Sequence, residues 1–280
     1  MLFTLISIEL LKIFRKWRTY ISIVAIVALV GLLQSVMLLQ GNQYGDLMMQ
    51  GLKTNFMIEG NLINGYLISF IVKGLLYVHI PFLVTLVAGD ILAGEATGGT
   101  IRMLLTKPIT RTQLITAKYA TSLIYTALIV LTLALTSYFV SLLLFGTGEL
   151  MILNSSTVVV LLEHDVPWRF GLTYLFIFLS LATVTTLSFF FSSLVENALG
   201  PIISTMAVII VFTALSFLDV SAVRAIKQYF FTTHMAAWRE FFNDPPDWSL
   251  ITRSASILFG HCVALFGITL YLFRRKDVTT

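Results

Sequence analysis

Six apolar runs, each about as long as a bilayer's hydrocarbon core is thick, constrain this chain more than any other feature. A helix needs about 20 apolar residues to cross, and such runs occupy 20–40, 66–89, 116–145, 170–193, 201–218 and 251–273. Only 11% of the residues are charged and 58% are hydrophobic, against about 25% charged in a soluble domain. The polar connections are too short to bury cores of their own. The expected fold is an all-α integral membrane protein with six transmembrane helices in one domain over 1–280. The first run is too long for a signal-peptide h-region and no A-x-A site follows it, so it is read as a retained span. The single cysteine, Cys262, excludes an internal disulfide and any CxxC site, and reads as a small buried apolar residue.

Basic residues orient the spans. Six crossings put both termini on one side, which collects eleven Lys and Arg: Lys12, Arg15, Lys16, Arg18, Arg102, Lys107, Arg111, Lys118, Arg274, Arg275 and Lys276. The other side collects five: Lys53, Arg169, Arg224, Lys227 and Arg239. Loops rich in Lys and Arg stay in the cytoplasm, so the expected location is the cell (cytoplasmic) membrane with both termini inside. The net charge of +4 is thereby a membrane-orientation signal; no nucleic-acid motif accompanies it.

Residues 1–19 place Leu5, Ile8, Leu11, Ile13 and Phe14 largely on one helical face and end in Phe14-Arg15-Lys16-Trp17-Arg18. This pattern suits an amphipathic helix lying along the inner membrane surface. The polar stretches 41–65 and 146–169 read as outer loops. In the short inner turn 192–200, Asn197 can cap the fifth span. Segment 219–250 mixes Tyr229, Phe230, Phe231, Trp238, Phe241, Phe242 and Trp248 with charges. It reads as a hairpin of short amphipathic helices resting at the outer interface, with Asp247 capping the last span.

The connection between the second and third runs, 90–112, is more elaborate than a turn requires. Gly94, Gly98 and Gly99 permit bends, Pro108 disfavours helix at Lys107, and Thr110-Arg111-Thr112-Gln113 fits a capping box that opens the third span near Arg111. Between the bends a short helix capped by Thr97 or Thr100 carries Ile101, Leu104 and Leu105 on one side. Spacing alone leaves two readings open: an ordinary interfacial turn, or a docking element for another protein.

Glu95, the Gly99-Thr100 pair, the Leu104-Leu105 pair, Pro108, Arg111 and Lys118 resemble the E-x-x-x-G-T-[LI]-x-x-L-L-x-x-P-[IL]-x-R…K signature of ABC-2-type permeases, the membrane subunits of ATP-driven exporters. The amphipathic start, six runs, aromatic segment and basic C-terminal end fit the same family over essentially the whole chain. The resemblance implies a dimer of permeases, or a pair of homologous ones, driven by two copies of a separate ATP-binding subunit. It makes the segment 90–112 a cytoplasmic coupling helix seated on that ATPase, with Glu95, Gly99, Thr100, Arg102, Leu105 and Arg111 in the coupling role. The chain lacks G-x-x-x-x-G-K-[ST], so it is expected to bind no cofactor and to be no enzyme by itself; ATP and Mg would belong to the partner.

Two further residues are candidates for a substrate path or a subunit interface. Lys73 lies about two turns into the second run, where it can snorkel outward, bond across subunits or line a path. His79 reads as a hydrogen-bonded packing residue or a member of the same surface, and Pro81 as a kink. The acidic stretch Glu163-His164-Asp165 reads as solvated loop rather than a cation site. The alternatives are a secondary transporter or channel that works without ATP, which predicts inverted repeats and broken helices at mid-membrane, neither of them clear in the sequence, and an intramembrane enzyme, against which stands the absence of H-E-x-x-H, G-x-S-x-G and paired Asp in facing spans.

Overall fold

The computed structural model describes residues 2–49, 63–98, 109–153, 158–218 and 221–275, without the side chains of 42–49, 153, 221, 222 and 224. The described chain is almost entirely helical: α1 (Leu2–Arg15), α2 (Trp17–Met49), α3 (Gly65–Leu76), α4 (His79–Ala88), α5 (Asp90–Thr97), α6 (Arg111–Phe145), α7 (Val166–Leu194), α8 (Leu199–Phe217), α9 (Ser221–Lys227), α10 (Phe231–Met235) and α11 (Trp248–Arg275). Helices α2, α6, α7, α8 and α11 are each long and apolar enough to cross a membrane, and α3 with α4 makes a sixth if the bent pair is one span. This is a helical, membrane-embedded protein.

Helix α7 is the axis of the bundle. Its apolar window is 72% buried inside the protein, against 17–28% for the other four long helices, and it packs against α4, α5, α6, α8 and α11. Its buried positions include Thr183, Thr185, Thr186, Ser188 and Ser192, on several sides of the helix. Small hydroxyl residues let helices approach closely and bond to one another in an apolar surround. Thr185 Oγ1 lies 2.6 Å from Thr126 Oγ1, and Thr186 Oγ1 lies 2.9 Å from the Tyr119 hydroxyl on α6.

The ends of several elements follow the sequence signals. Thr110 and Gln113 form a reciprocal capping box at the start of α6, and Asn197 and Asp247 accept bonds from the Leu199 and Leu250 amides, both at 3.0 Å. Gly65 opens α3 where a Cβ would stand 2.6 Å from the Ser141 carbonyl oxygen, so only glycine lets α3 meet the end of α6.

Three expectations are corrected. The run 66–89 is not one kinked helix: it breaks at Tyr77-Val78, and α3 and α4 meet at 59°. The pyrrolidine ring of Pro81 clashes with the carbonyl four residues earlier and offers it no N–H; that carbonyl belongs to Tyr77, so the break precedes the proline by one turn. Second, the stretch 146–169 is not all loop. Leu150–Leu153 pairs antiparallel with Val158–Leu161 as a small two-stranded sheet, built from β-branched and aliphatic residues. Third, the aromatic segment does not rest on the surface. Phe231, Met235, Trp238, Phe241 and Phe242 are core residues: α10 and a 3-10 turn, Ala236–Phe242, enter the bundle beside α7 and α11. The ring of Phe70 meets Trp238 at 5.5 Å and Phe242 at 5.1 Å. Arg169 fastens this plug, donating to the carbonyls of Phe241 at 2.9 Å and Asn243 at 2.6 Å while pairing with Asp165.

Candidate functional site

At the end of the bundle that gathers Arg18, Asp90 and Arg111, charges from three distant stretches close into a ring. Helix α1 brings Glu9 and Lys12, α5 brings Glu95, and α6 brings Lys118. Lys118 Nζ lies 2.7 Å from Glu9 Oε2 and 2.7 Å from Glu95 Oε2, while Lys12 Nζ lies 2.7 Å from Glu9 Oε1 and 3.0 Å from Glu95 Oε1. The signs alternate around the ring, so it is neutral as a whole. Beside it, Asp90 at the start of α5 takes Lys16 Nζ at 2.7 Å and Arg18 Nη1 at 3.3 Å.

The local reasons are readable. Glu9, Lys12 and Ile13 stand at helical spacing on the face of α1 turned to the protein, while Ile8, Leu11 and Phe14 are exposed on the other faces. The apolar face of α1 is therefore not covered by its own chain. Lys118 sits two turns into α6 and is fully buried, so its charge must be met inside the protein. On α5, Gly94 makes room for Asp90, whose Oδ1 would stand 2.3 Å from any Cβ there. Helix α5 is fixed in turn to α7. Ser192 Oγ accepts from the amide of Ala93 at 2.9 Å and donates to the Gly89 carbonyl at 2.6 Å, and the Thr97 hydroxyl donates to the Glu196 carbonyl.

The ring sets its own titration. Burial alone would raise the Glu95 carboxyl, but the charge and hydrogen bonds of Lys118 and Lys12 outweigh it and hold it below its ordinary range. Burial likewise works to lower Lys12, and the bonds to Glu9 and Glu95 reverse that, raising the ammonium above its ordinary value. Breaking a buried ion pair by removing one partner costs about 3–5 kcal/mol, although the intact pair adds little net stability. The ring therefore fixes where α5 lies relative to α1 and α6, more than it adds stability. No free nucleophile or open coordination position arises from it, and among the described residues no cluster of three His, Cys, Asp or Glu side chains could hold a metal.

The candidate residues separate into groups. Glu95 is turned inward to Lys12 and Lys118, so its carboxylate serves the chain's own fold rather than an outer surface. Arg111, at the first turn of α6, donates from Nη1 to the Arg274 carbonyl at 3.2 Å and joins the start of α6 to the end of α11. Gly99, Thr100, Arg102 and Leu105 lie outside the described residues, which resume at residue 109 directly before α6. His79 is exposed on the outside of the bundle, its Nδ1 3.1 Å from the Leu75 carbonyl, and shares no site with Lys73.

Lys73 does not snorkel. Its side chain turns into the bundle, is 2% exposed, and ends in a box of aromatic faces. Nζ lies 3.4 Å from the Phe170 ring centre, 5.0 Å from Tyr174, 5.0 Å from Phe242 and 5.8 Å from Trp238. A desolvated ammonium gains about 2 kcal/mol or more from such a face. The sequence argument missed this because two of the four rings come from the aromatic segment, which it placed at the membrane surface. Glu9 was missed too, although it is the only acid in the first nineteen residues; a lone carboxylate on a basic amphipathic helix was the available signal.

Comparison with known proteins gives two matches. "Uncharacterized protein YhcI" of Bacillus subtilis (strain 168) is 30% identical over 116 residues, which cover 40% of this chain and 37% of that protein. The match thus spans well under half the length of that relative. A family model described as "Protein of unknown function (DUF2705)" matches residues 23–279, from the first long helix through the last. The chain belongs to the DUF2705 family.

Proposed function

We propose that this chain is the membrane permease subunit of an ABC-2-type exporter, with six spans, both termini in the cytoplasm, and a coupling helix between the second and third spans. In this reading two permeases form the transport path, and two separate ATP-binding subunits drive them through the segment 90–112. The observation that carries it is the charged ring, which locks α5 to α1 and α6 through Glu95. A segment meant only to turn the chain has no use for four ionic contacts through the largely buried carboxylates of Asp90 and Glu95; a segment that must deliver a rigid displacement does. Force applied to 99–108 reaches α5 first, and α5 cannot move without carrying α1, the start of α6, and α7 through Ser192 and Thr97. The uncovered apolar face of α1 suits a helix lying in the inner leaflet surface, and α10 with its 3-10 turn forms an outer plug in the path.

Orientation is the first test. In a Cys262→Ser background, a cysteine at Leu162, which is exposed in the structure, is labelled in intact cells by a membrane-impermeant thiol reagent, while one at Gly98 is labelled only after the membrane is opened. The reverse pattern overturns the reading.

One observation favours a second reading, a transporter that works without ATP. The second span is broken at mid-length with a buried lysine four residues before the break, an arrangement expected of secondary transporters. Vesicles that transport equally well after ATP depletion, but not after collapse of the ion gradients, would favour it.

A further inference from the structure

The ammonium of Lys73 lacks something that the fold was free to give it. It lies about two turns from the start of α3, within reach of water by snorkelling, yet it points inward and is almost fully buried. An ammonium carries N–H donors that ring faces meet only in part, and Nζ makes no hydrogen bond among the described residues. Close by, the Ser180 hydroxyl on α7 is also buried without a hydrogen-bond partner. Lys73 and Ser180 line one small cavity of about 20 Å³, room for a group the size of a water molecule. The Tyr77 hydroxyl at the same cavity is already committed, donating to the Thr232 carbonyl at 3.4 Å. The remaining wall is apolar and includes Leu133, Ile177 and Met235.

A buried ammonium and a hydroxyl, both with bonds to give and neither with a protein acceptor among the described residues, suit an anionic group between them. We infer that Lys73 and Ser180 form the head-group site of an anionic amphiphile. One carboxylate or phosphate oxygen sits in the cavity against Lys73 Nζ, and the aliphatic tail runs along the Leu133, Ile177 and Met235 wall. The aromatic box holds the Lys73 side chain in position while the site is empty, so no ordering of that side chain is needed when the anion arrives. The plug of α10 and the 3-10 turn, which supplies Met235 and Trp238 to the wall, shifts to admit anything larger than one small group. The site does not depend on how transport is energised, so it stands under either reading of the function.

The test uses the full chain in nanodiscs of phosphatidylcholine alone, with Trp17, Trp168 and Trp248 replaced by Phe so that emission reports Trp238. Dodecyl phosphate and laurate are titrated separately, against dodecyltrimethylammonium and dodecyl maltoside of the same tail length. The expected result is a saturable change with one or both anionic amphiphiles and none with the other two. Lys73→Gln should weaken that binding about tenfold or more, Lys73→Arg should retain most of it, and Ser180→Ala should weaken it less than Lys73→Gln. Which of the two anions binds more tightly tells a carboxylate site from a phosphate site. Should Lys73→Gln not fold, Ile177→Phe fills the cavity while leaving the charge and the single tryptophan, and loss of binding there supports the site. Equal binding by wild type and Ile177→Phe overturns it, as does a response to dodecyltrimethylammonium, or one that sodium chloride alone reproduces.

Discussion

Lys118 is the residue that the charged ring can least do without. It is fully buried and faces two carboxylates that Lys12, more than a third exposed, could only partly offset. Lys118→Met should therefore destabilise the fold by about 3–5 kcal/mol, read as a lower thermal midpoint in detergent, and pairing it with Glu95→Gln should recover part of the loss. Gly94 is a second sensitive position. A Cβ there displaces the Asp90 carboxylate from Lys16 and Arg18, so Gly94→Ala should lower the midpoint, while Gly171→Ala, where a Cβ meets nothing within 4 Å, should not. The ring also predicts a pH window. Glu95 is held below its ordinary value of 4.5, so its stabilising contribution is complete above that pH and disappears as the pH falls through the lower folded value. Lys12 is raised above 10.5, so its contribution is complete below that pH and disappears as the pH climbs through the higher folded value. Thermal midpoints measured across pH should fall on both flanks, and Glu95→Gln should flatten the acid flank relative to wild type.

Among the elements, the long helices were legible because lipid imposes one rule on every residue of a span: four of the six runs appear as single helices within a few residues of the expected bounds, while the first continues as α2 to Met49, nine residues into the stretch 41–65 that reads as loop. Caps were legible for a similar reason. Thr110, Gln113, Asn197 and Asp247 act on amides two or three residues away, so local sequence suffices. What could not be read was contact between distant stretches. Lys118 meets Glu9 across 109 positions, and no spacing rule links them. The aromatic segment was misplaced because Trp and Phe beside charges look alike whether they rest at an interface or enter a core; Arg169, reaching the carbonyls of Phe241 and Asn243, decides it. That role is testable. Arg169→Met leaves those two carbonyls unmet, at about 1–3 kcal/mol each, and should speed hydrogen exchange across 231–243 without changing it in α5. Equal exchange in variant and wild type would mean that ring packing alone holds the plug.

At the scale of the whole molecule, the bundle has a central helix, α7, joined to a ring of ion pairs at one end and an aromatic plug at the other. Helix α7 reaches both: Ser192 near its C-terminal end holds α5, and Arg169 and Phe170 near its N-terminal end hold the plug and cap the Lys73 ammonium. In the proposed reading, a displacement entering through α5 would be delivered along α7 to the box around Lys73. The most direct measurement of this account places a photo-crosslinking amino acid at position 102 in the full-length chain, with a control at Trp168 on the opposite end, and identifies what each captures in the native membrane. The account predicts that position 102, and not position 168, joins to a protein bearing a G-x-x-x-x-G-K-[ST] ATP-binding site. Crosslinks from position 102 to lipid alone, or capture of that ATPase from position 168, would contradict it.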